Sequence, residues 1–151
     1  INKNEIISGY GYFTNETSGN IDRINLSGNR IGGFPNIIIN AFLNYRHNNL
    51  LIQISGKYHG KSYSDNYDDK LLDYLNLNPS ITDYTDNSIN PFFVTNAQIN
   101  YKTCFEPILK DITFTFQINN IFDKLYAANA YGKEFFPGAE RNIYLGMKLE
   151  F

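Results

Sequence analysis

The chain lacks several features that mark common classes of protein. Its 151 residues include no tryptophan and a single cysteine, Cys104, so an intrachain disulfide cannot form. The 13 basic and 15 acidic side chains leave a net charge of -2, and this balance gives no positive field that would attract nucleic acid. We therefore expect no nucleic-acid partner.

Long apolar runs are also missing. A membrane-spanning helix needs roughly 20 consecutive apolar residues, and the strongest runs here, at 37–42 and 50–54, are much shorter. A helical membrane anchor is therefore not expected. A membrane-spanning β-strand needs only about 9–11 residues with every second one apolar, so this shortage does not exclude a β-barrel.

Motifs for catalysis and metal binding are absent from the sequence. It contains no Gly-x-Ser-x-Gly, no His-Glu-x-x-His and no cysteine pair. The acidic stretch at Asp65, Asp68 and Asp69 lacks the spaced glycine and terminal glutamate of a calcium loop. We expect no enzyme, no catalytic residues, no metal site and no cofactor.

What the sequence does contain is period-two alternation of apolar and polar residues, which predicts β-strands with one apolar face. In the final segment Ile143, Leu145, Met147, Leu149 and Phe151 share one face. Similar alternation occupies 112–119, 93–101, 37–46 and 52–59, and a further strand is predicted around 4–13. The sequence therefore predicts an all-β fold of about six strands, with little helix.

The connections between these strands alternate in length. Long ones run over 14–35, 62–91 and 120–140, and short ones over 46–49 and 103–109. Short turns at one end and long loops at the other are typical of antiparallel outer-membrane barrels. Aromatic residues flank both ends, as two membrane-interface girdles would: Tyr45, Tyr101, Phe105 and Phe151 at the short-turn end, and Phe13, Tyr58, Phe92, Phe93, Phe122 and Tyr126 at the other.

Two segments near the C-terminus carry a family resemblance. Residues 117–126 read Q-I-N-N-I-F-D-K-L-Y, and residues 136–151 read F-P-G-A-E-R-N-I-Y-L-G-M-K-L-E-F. Both resemble the C-terminal end of TonB-dependent outer-membrane receptors, with Ile121 in place of the usual leucine. The stretches G-N-R-I-G-G-F-P at 28–35 and G-K-S-Y-S-D-N at 60–66 are similar to preceding barrel elements of the same family.

The resemblance implies an antiparallel transmembrane β-barrel of about 22 strands, of which residues 1–151 would be the C-terminal part. The plug domain and the N-terminal strands would lie outside this chain. It also implies the outer membrane of a Gram-negative bacterium and active transport of a scarce bulky nutrient, with an iron-siderophore or other metal chelate as the first candidate. The implied partners are outer-membrane lipid, the small-molecule chelate and, through the plug, the TonB complex.

The final strand is similar to the signal that barrel-assembly machinery recognises in such receptors. An exposed edge strand can pair with an accepting edge by β-augmentation. We therefore assign Ile143, Leu145, Met147, Leu149 and Phe151 to this signal as well as to the lipid-facing surface.

Candidate ligand-facing residues lie in the long loops, where tyrosine and aspartate are mixed. They are Tyr63, Asp65, Tyr67, Tyr84, Tyr131, Phe135 and Phe136. His59 is expected on the lumen face near the mouth, whereas His47 lies in a short turn at the opposite end, so the two cannot share a site.

Two alternatives remain open from the residues. One is a soluble all-β ligand-binding module, whose apolar faces would be buried against a second sheet. The other is a passive outer-membrane channel, although about six strands are fewer than the smallest barrels use. The discriminating observation is whether Ile112, Phe114, Phe116, Ile143, Leu145 and Met147 form one outward apolar surface or a closed core.

Overall fold

The computed structural model describes residues 9–105 and 109–150. Along the chain the elements are β1 (Tyr10–Thr14), β2 (Ile21–Asn25), β3 (Ile38–His47), β4 (Leu50–His59), β5 (Ser62–Tyr63), α1 (Leu71–Leu77), β6 (Ser88–Ile89), β7 (Phe92–Phe105), β8 (Leu109–Asn119), β9 (Ala127–Tyr131), β10 (Glu134–Pro137) and β11 (Asn142–Glu150). A short 3-10 turn, Asp68–Lys70, precedes α1. Among the described residues, no helix is long and apolar enough to cross a membrane.

These elements form two compact units. The sheet unit contains the described residues of 38–59, 92–125 and 139–151, and the loop unit contains those of 1–37, 60–91 and 126–138. The three stretches of the loop unit come from the three predicted long connections and the residues around them. The division of the chain into strands of the main sheet and long connections therefore corresponds to a division into two structural units.

The sheet unit is one antiparallel sheet in the order β11-β8-β7-β4-β3. Its longest strand, β7, has 14 residues, and β3 and β4 have 10 each, which is the length that a tilted strand needs to cross a bilayer. Within the described residues, the outer edges of β3 and β11 have no partner strand. The sheet is therefore open rather than closed into a barrel.

The register of the sheet places the predicted apolar residues on one face. One cross-strand row consists of Leu145, Phe116, Ile99, Ile52 and Tyr45, and the rows on either side are also mainly apolar. Of the six discriminating residues, Leu145 is 75% exposed and Phe114 46% exposed. These side chains form a continuous open surface and are not packed into a closed core.

The opposite face of the sheet is covered by amide and hydroxyl side chains that bond to one another. Gln53 Nε2 donates to Asn44 Oδ1 at 3.0 Å, and Thr115 Oγ1 donates to Asn100 Oδ1 at 2.9 Å. Further along the same face, Asn119 Nδ2 donates to Asn142 Oδ1 at 2.8 Å. Such a surface keeps its polar groups satisfied next to water, as the inner wall of a wide barrel requires.

The aromatic girdles are only partly as expected. Tyr58 and Phe93 pair directly on the apolar face at one end of the sheet, and Tyr101 lies eight residues further along β7, about 27 Å of strand away. Phe92, however, lies on the polar face because its parity along β7 is opposite to that of Phe93. Phe13 is in the loop unit, where it contacts two tyrosines. The side chains of residues 105 and 151 lie outside the described part.

Two predictions of element type need correction. A strand was expected around 4–13, but residues 4–8 lie outside the described part of the chain. The described part forms β1, which pairs with β2 in a separate two-stranded sheet instead of joining the main sheet. The predicted loop over 62–91 contains α1, a helix of seven residues anchored by the buried Leu71. A helix this short is not stable by itself and depends on its tertiary contacts.

Candidate ligand cleft in the loop unit

In the loop unit, two glycine-containing stretches of the sequence lie side by side. Gly33 N donates to Tyr63 O at 2.6 Å, and Asn36 N donates to Lys61 O at 3.1 Å. Next to them, a Cβ atom on Gly32 would lie 2.6 Å from the backbone carbonyl of Asp65, so this close approach requires glycine. The two upstream stretches that resemble barrel elements, 28–35 and 60–66, are therefore direct neighbours.

Asp65 is the centre of a hydrogen-bond network. Its carboxylate accepts bonds from the Tyr84 hydroxyl, from Asn87 Nδ2 at 2.9 Å and from the backbone N–H of Tyr67 at 2.8 Å. Burial, and then the bond to Asp65, raises the pKa of the Tyr84 phenol above its ordinary value. Asp65 therefore fixes the positions of two tyrosines, and its bond to Tyr84 adds to the effect of burial in making that phenol harder to ionise.

An aromatic cluster stands next to this network. The rings of Tyr67 and Tyr74 stack at a centroid distance of 4.3 Å and an angle of 15°, and the Phe13 ring meets both edge-on. Burial raises the pKa of the Tyr67 phenol, and the neighbouring Tyr74 adds to that effect. The cluster therefore presents uncharged aromatic surface.

The β9–β10 hairpin and the β1–β2 turn are tied to the same region. Lys133 at the hairpin tip forms an ion pair with Asp83, and Gly132 N donates to Ser64 O at 3.2 Å. The bond from Lys133 lowers the pKa of the Asp83 carboxyl and raises the pKa of the lysine. In the β1–β2 turn, Glu16 accepts two bonds from Ser80, 3.0 and 2.7 Å long.

Together these segments enclose a cleft of about 1030 Å³, large enough for a bulky small molecule. Four of the sequence-predicted ligand-facing residues line it, namely Asp65, Tyr67, Tyr84 and Tyr131. Phenol hydroxyls, aromatic rings and a carboxylate give the cleft hydrogen-bonding and stacking groups. This geometry suits the binding of a bulky organic ligand.

The other predicted loop residues do not line this cleft. Tyr63 is buried beneath two cations, with the Arg30 guanidinium 5.6 Å and the Lys61 amine 4.7 Å from its ring centroid. Phe135 and Phe136 lie on β10 and are exposed. Their role as ligand-facing residues stays a prediction.

His59 lies at the end of β4 on the polar face of the sheet unit. It is 9% exposed, and its ring stacks on Phe92 at 4.8 Å with an angle of 8°. In the β3–β4 register His47 pairs with Leu50 and His59 with Ile38, so the two histidines lie at opposite ends of these strands. Over the described residues, no group of three His, Cys, Asp or Glu side chains is placed to hold a metal ion.

The proposed assembly-signal residues occupy the last strand. Ile143, Leu145, Met147 and Leu149 follow one another along the apolar face of β11 and are exposed, whereas Phe151 lies outside the described residues. Upstream of β11, Asn120 connects the two C-terminal motifs. Its Nδ2 donates to Lys124 O at 2.9 Å and to Ala139 O at 3.0 Å, so it ties the first motif to the second.

The cleft also uses residues that were not among the predicted ligand-facing set. They are chiefly Phe13, Ile31, Gly32, Tyr74, Asp83 and Lys133. The signal available for Tyr74, Asp83 and Lys133 was their place in tyrosine- and charge-rich loops. Phe13 and Gly32 gave no such signal, because their contribution depends on contacts with residues more than thirty positions away.

Comparison with known proteins gives matches only at the level of structure. No protein-family model matches the sequence, and no curated protein matches it. Among solved structures, the unliganded ferric citrate transporter FecA matches 84% of the chain with a TM-score of 0.61 and 19% identity. The ferric-catecholate import receptor Fiu from E. coli K12 matches 87% with a TM-score of 0.57 and 16% identity.

A third structure is similar in the same way. The ferric enterobactin receptor PfeA from Pseudomonas aeruginosa, a mutant in complex with enterobactin, matches 80% of the chain with a TM-score of 0.53 and 16% identity. All three are TonB-dependent outer-membrane receptors. The chain spans only 17–19% of their own length. The expected fold is thereby confirmed: the chain has the fold of a barrel segment like those of these receptors.

Proposed function

We propose that residues 1–151 are the C-terminal part of the barrel domain of an outer-membrane active-transport receptor. The receptor binds a scarce bulky nutrient, an iron-siderophore or other metal chelate, and imports it with energy supplied by TonB through a plug domain elsewhere in the protein. No catalysis is involved. The structural neighbours are named as a ferric citrate transporter, a ferric-catecholate import receptor and a ferric enterobactin receptor, which supports this class of function.

The observation that carries the proposal is the combination of an exposed apolar face and a cleft formed by the long loops. The apolar face suits lipid contact in the outer membrane, and the opposite amide-lined face suits a water-filled interior. The cleft of about 1030 Å³ is at the upper end of the volumes of small-molecule pockets, which suits a bulky ligand such as a metal chelate. A soluble binding module would instead leave the apolar surface of β8 and β11 without cover.

The proposal includes two further partners. The apolar face of β11 and Phe151 would serve the barrel-assembly machinery during insertion, and TonB would act through the plug. Assembly is tested by removing Phe151 from the full-length receptor, where the outer-membrane fraction is expected to fall. An unchanged outer-membrane fraction would contradict the role given to the last strand.

Transport is tested with the full-length receptor in iron-limited cells. We expect binding and uptake of a radiolabelled ferric chelate, and we expect a protonophore to stop uptake while leaving surface binding intact. Replacing Tyr67 with alanine removes half of the Tyr67–Tyr74 stack and is expected to weaken binding by about tenfold, or about 1.4 kcal/mol. The matched control is Tyr12→Ala, an exposed tyrosine of the same unit that does not line the cleft.

Uptake that continues without cellular energy would favour the passive channel. Absence of binding for every ferric chelate tested would contradict the receptor proposal.

A further inference from the structure

The loop unit carries an excess of acidic side chains. Within 9–37, Gly60–Pro91 and Tyr126–Gly138 the sequence has nine aspartates and glutamates against five lysines and arginines. A ligand that approaches this unit therefore meets a negative potential, which attracts cations and repels anions at low and moderate ionic strength.

The cleft itself shows the same bias. Its described lining residues include two carboxylates, Asp65 and Asp83, and one cation, Lys133. Lys133 is held in an ion pair with Asp83, which neutralises it. Arg30 and Lys61 are directed to the ring of Tyr63, which is not among the lining residues. Among the described lining residues, the cation that could attract an anionic ligand is therefore already paired with a carboxylate.

The remaining groups of the cleft are suited to an uncharged surface. The Tyr67–Tyr74 stack and the Tyr131 ring offer flat aromatic area, and Tyr131 is 81% exposed. Tyrosine hydroxyls are protonated at physiological pH, and burial raises the pKa of Tyr67 and Tyr84 further, so both offer neutral hydroxyls. Aromatic faces with neutral hydroxyls favour apolar or weakly cationic ligand surfaces.

We propose that this cleft takes an uncharged or cationic metal chelate and discriminates against polyanionic chelates, because its walls are aromatic and acidic and its described cation is paired with Asp83. This inference rests on the proposed chelate-receptor function and narrows its substrate class.

The test is a binding comparison on the purified full-length receptor with ferric chelates of similar size and different charge. The probes are an uncharged ferric trihydroxamate, the same trihydroxamate with a pendant amine, and a polyanionic ferric tricatecholate. We expect the first two to bind at least about tenfold more tightly than the third at low salt, with the difference shrinking as salt is added. Equal or tighter binding of the tricatecholate would overturn the inference while leaving the receptor function standing. Failure of all three probes to bind would instead contradict the receptor function.

A pair of variants localises the effect to the cleft. Asp83→Asn removes the partner of Lys133 and is expected to improve tricatecholate binding several-fold relative to binding of the uncharged probe by the same variant. Asp73→Asn makes the same charge change on an exposed residue of α1 that does not line the cleft. It is expected to have a much smaller effect. Equal gains in both variants, or no gain in Asp83→Asn, would contradict the assignment of selectivity to this cleft.

Discussion

Asn120 and Asn48 have similar backbone conformations but different environments. Their φ angles are +53° and +48°, in the left-handed region that asparagine tolerates better than most residues. Asn48 lies in the exposed β3–β4 turn. Asn120 is only 3% exposed, and its side chain makes three bonds to backbone groups of Lys124 and Ala139. The left-handed angle is thus common to both, and the buried side-chain bonds are specific to Asn120.

We expect Asn120→Ala to free the segment that follows β8. Losing the three bonds and placing alanine in a left-handed conformation should reduce local stability by about 3 kcal/mol. Hydrogen exchange of residues 120–126 in the full-length receptor should then be about 100-fold faster. Asn48→Ala is the matched control for the backbone cost and should change exchange at its own turn by only about fivefold. Similar effects at both sites would contradict the structural role of the Asn120 side chain.

Residue types could be predicted from the sequence more readily than residue partners. Asp65 and Tyr84 were both expected to face a ligand, and both line the cleft. That they also bond to each other could not be foreseen, because nineteen residues separate them and the contact depends on how the loop folds back. For Tyr63, the position in a loop suggested an exposed side chain. The side chain is buried instead, and cations from two segments lie over its ring.

At the scale of elements, alternation predicted the strands of the main sheet and failed inside the loops. The pairing of β8 with β11 keeps the described apolar residues of the predicted pattern on one face, because period-two patterning fixes the face as soon as the register is set. The short hairpin β9–β10 and α1 lie inside segments expected to be irregular. Elements this short depend on tertiary contacts, and local patterning does not encode those contacts.

The two faces of β11 should respond differently to charge. Leu145 lies mid-strand on the apolar face, and its neighbour Tyr144 lies on the polar face. In the full-length receptor, Leu145→Arg should destabilise the inserted barrel by about 2–4 kcal/mol, because a cation on the lipid-facing side loses its hydration. Tyr144→Arg, the matched control, should be close to neutral. Folded, heat-modifiable protein in the outer membrane measures both, and equal loss in the two variants would contradict the assignment of the faces.

At the scale of the whole molecule, the chain separates sheet-forming segments from segments that form the cleft. The bonds of the main sheet run among β3, β4, β7, β8 and β11, all of which belong to the sheet unit. All residues that line the cleft belong to the loop unit. Membrane insertion and ligand binding should therefore depend on different parts of the sequence.

The β4–β7 register offers a direct test of this separation. His59 and Phe92 are paired across the two strands, so a two-residue turn can join them. Replacing Gly60–Pro91 by Asn-Gly in the full-length receptor removes Asp65, Tyr67, Tyr74 and Tyr84 from the cleft but leaves all five strands of the main sheet.

We expect this variant to reach the outer membrane in near-normal amount and to lose chelate binding by at least about 100-fold, since most of the cleft wall is gone. Outer-membrane fractionation and chelate binding on the same cells provide the two measurements. The control is Asn49→Gly, which gives the β3–β4 turn at the other end of the sheet the same Asn-Gly sequence. It should retain both outer-membrane insertion and chelate binding. Retained binding in the shortened receptor would place the ligand outside the cleft. Loss of insertion would show that the sheet requires the loop unit in order to fold.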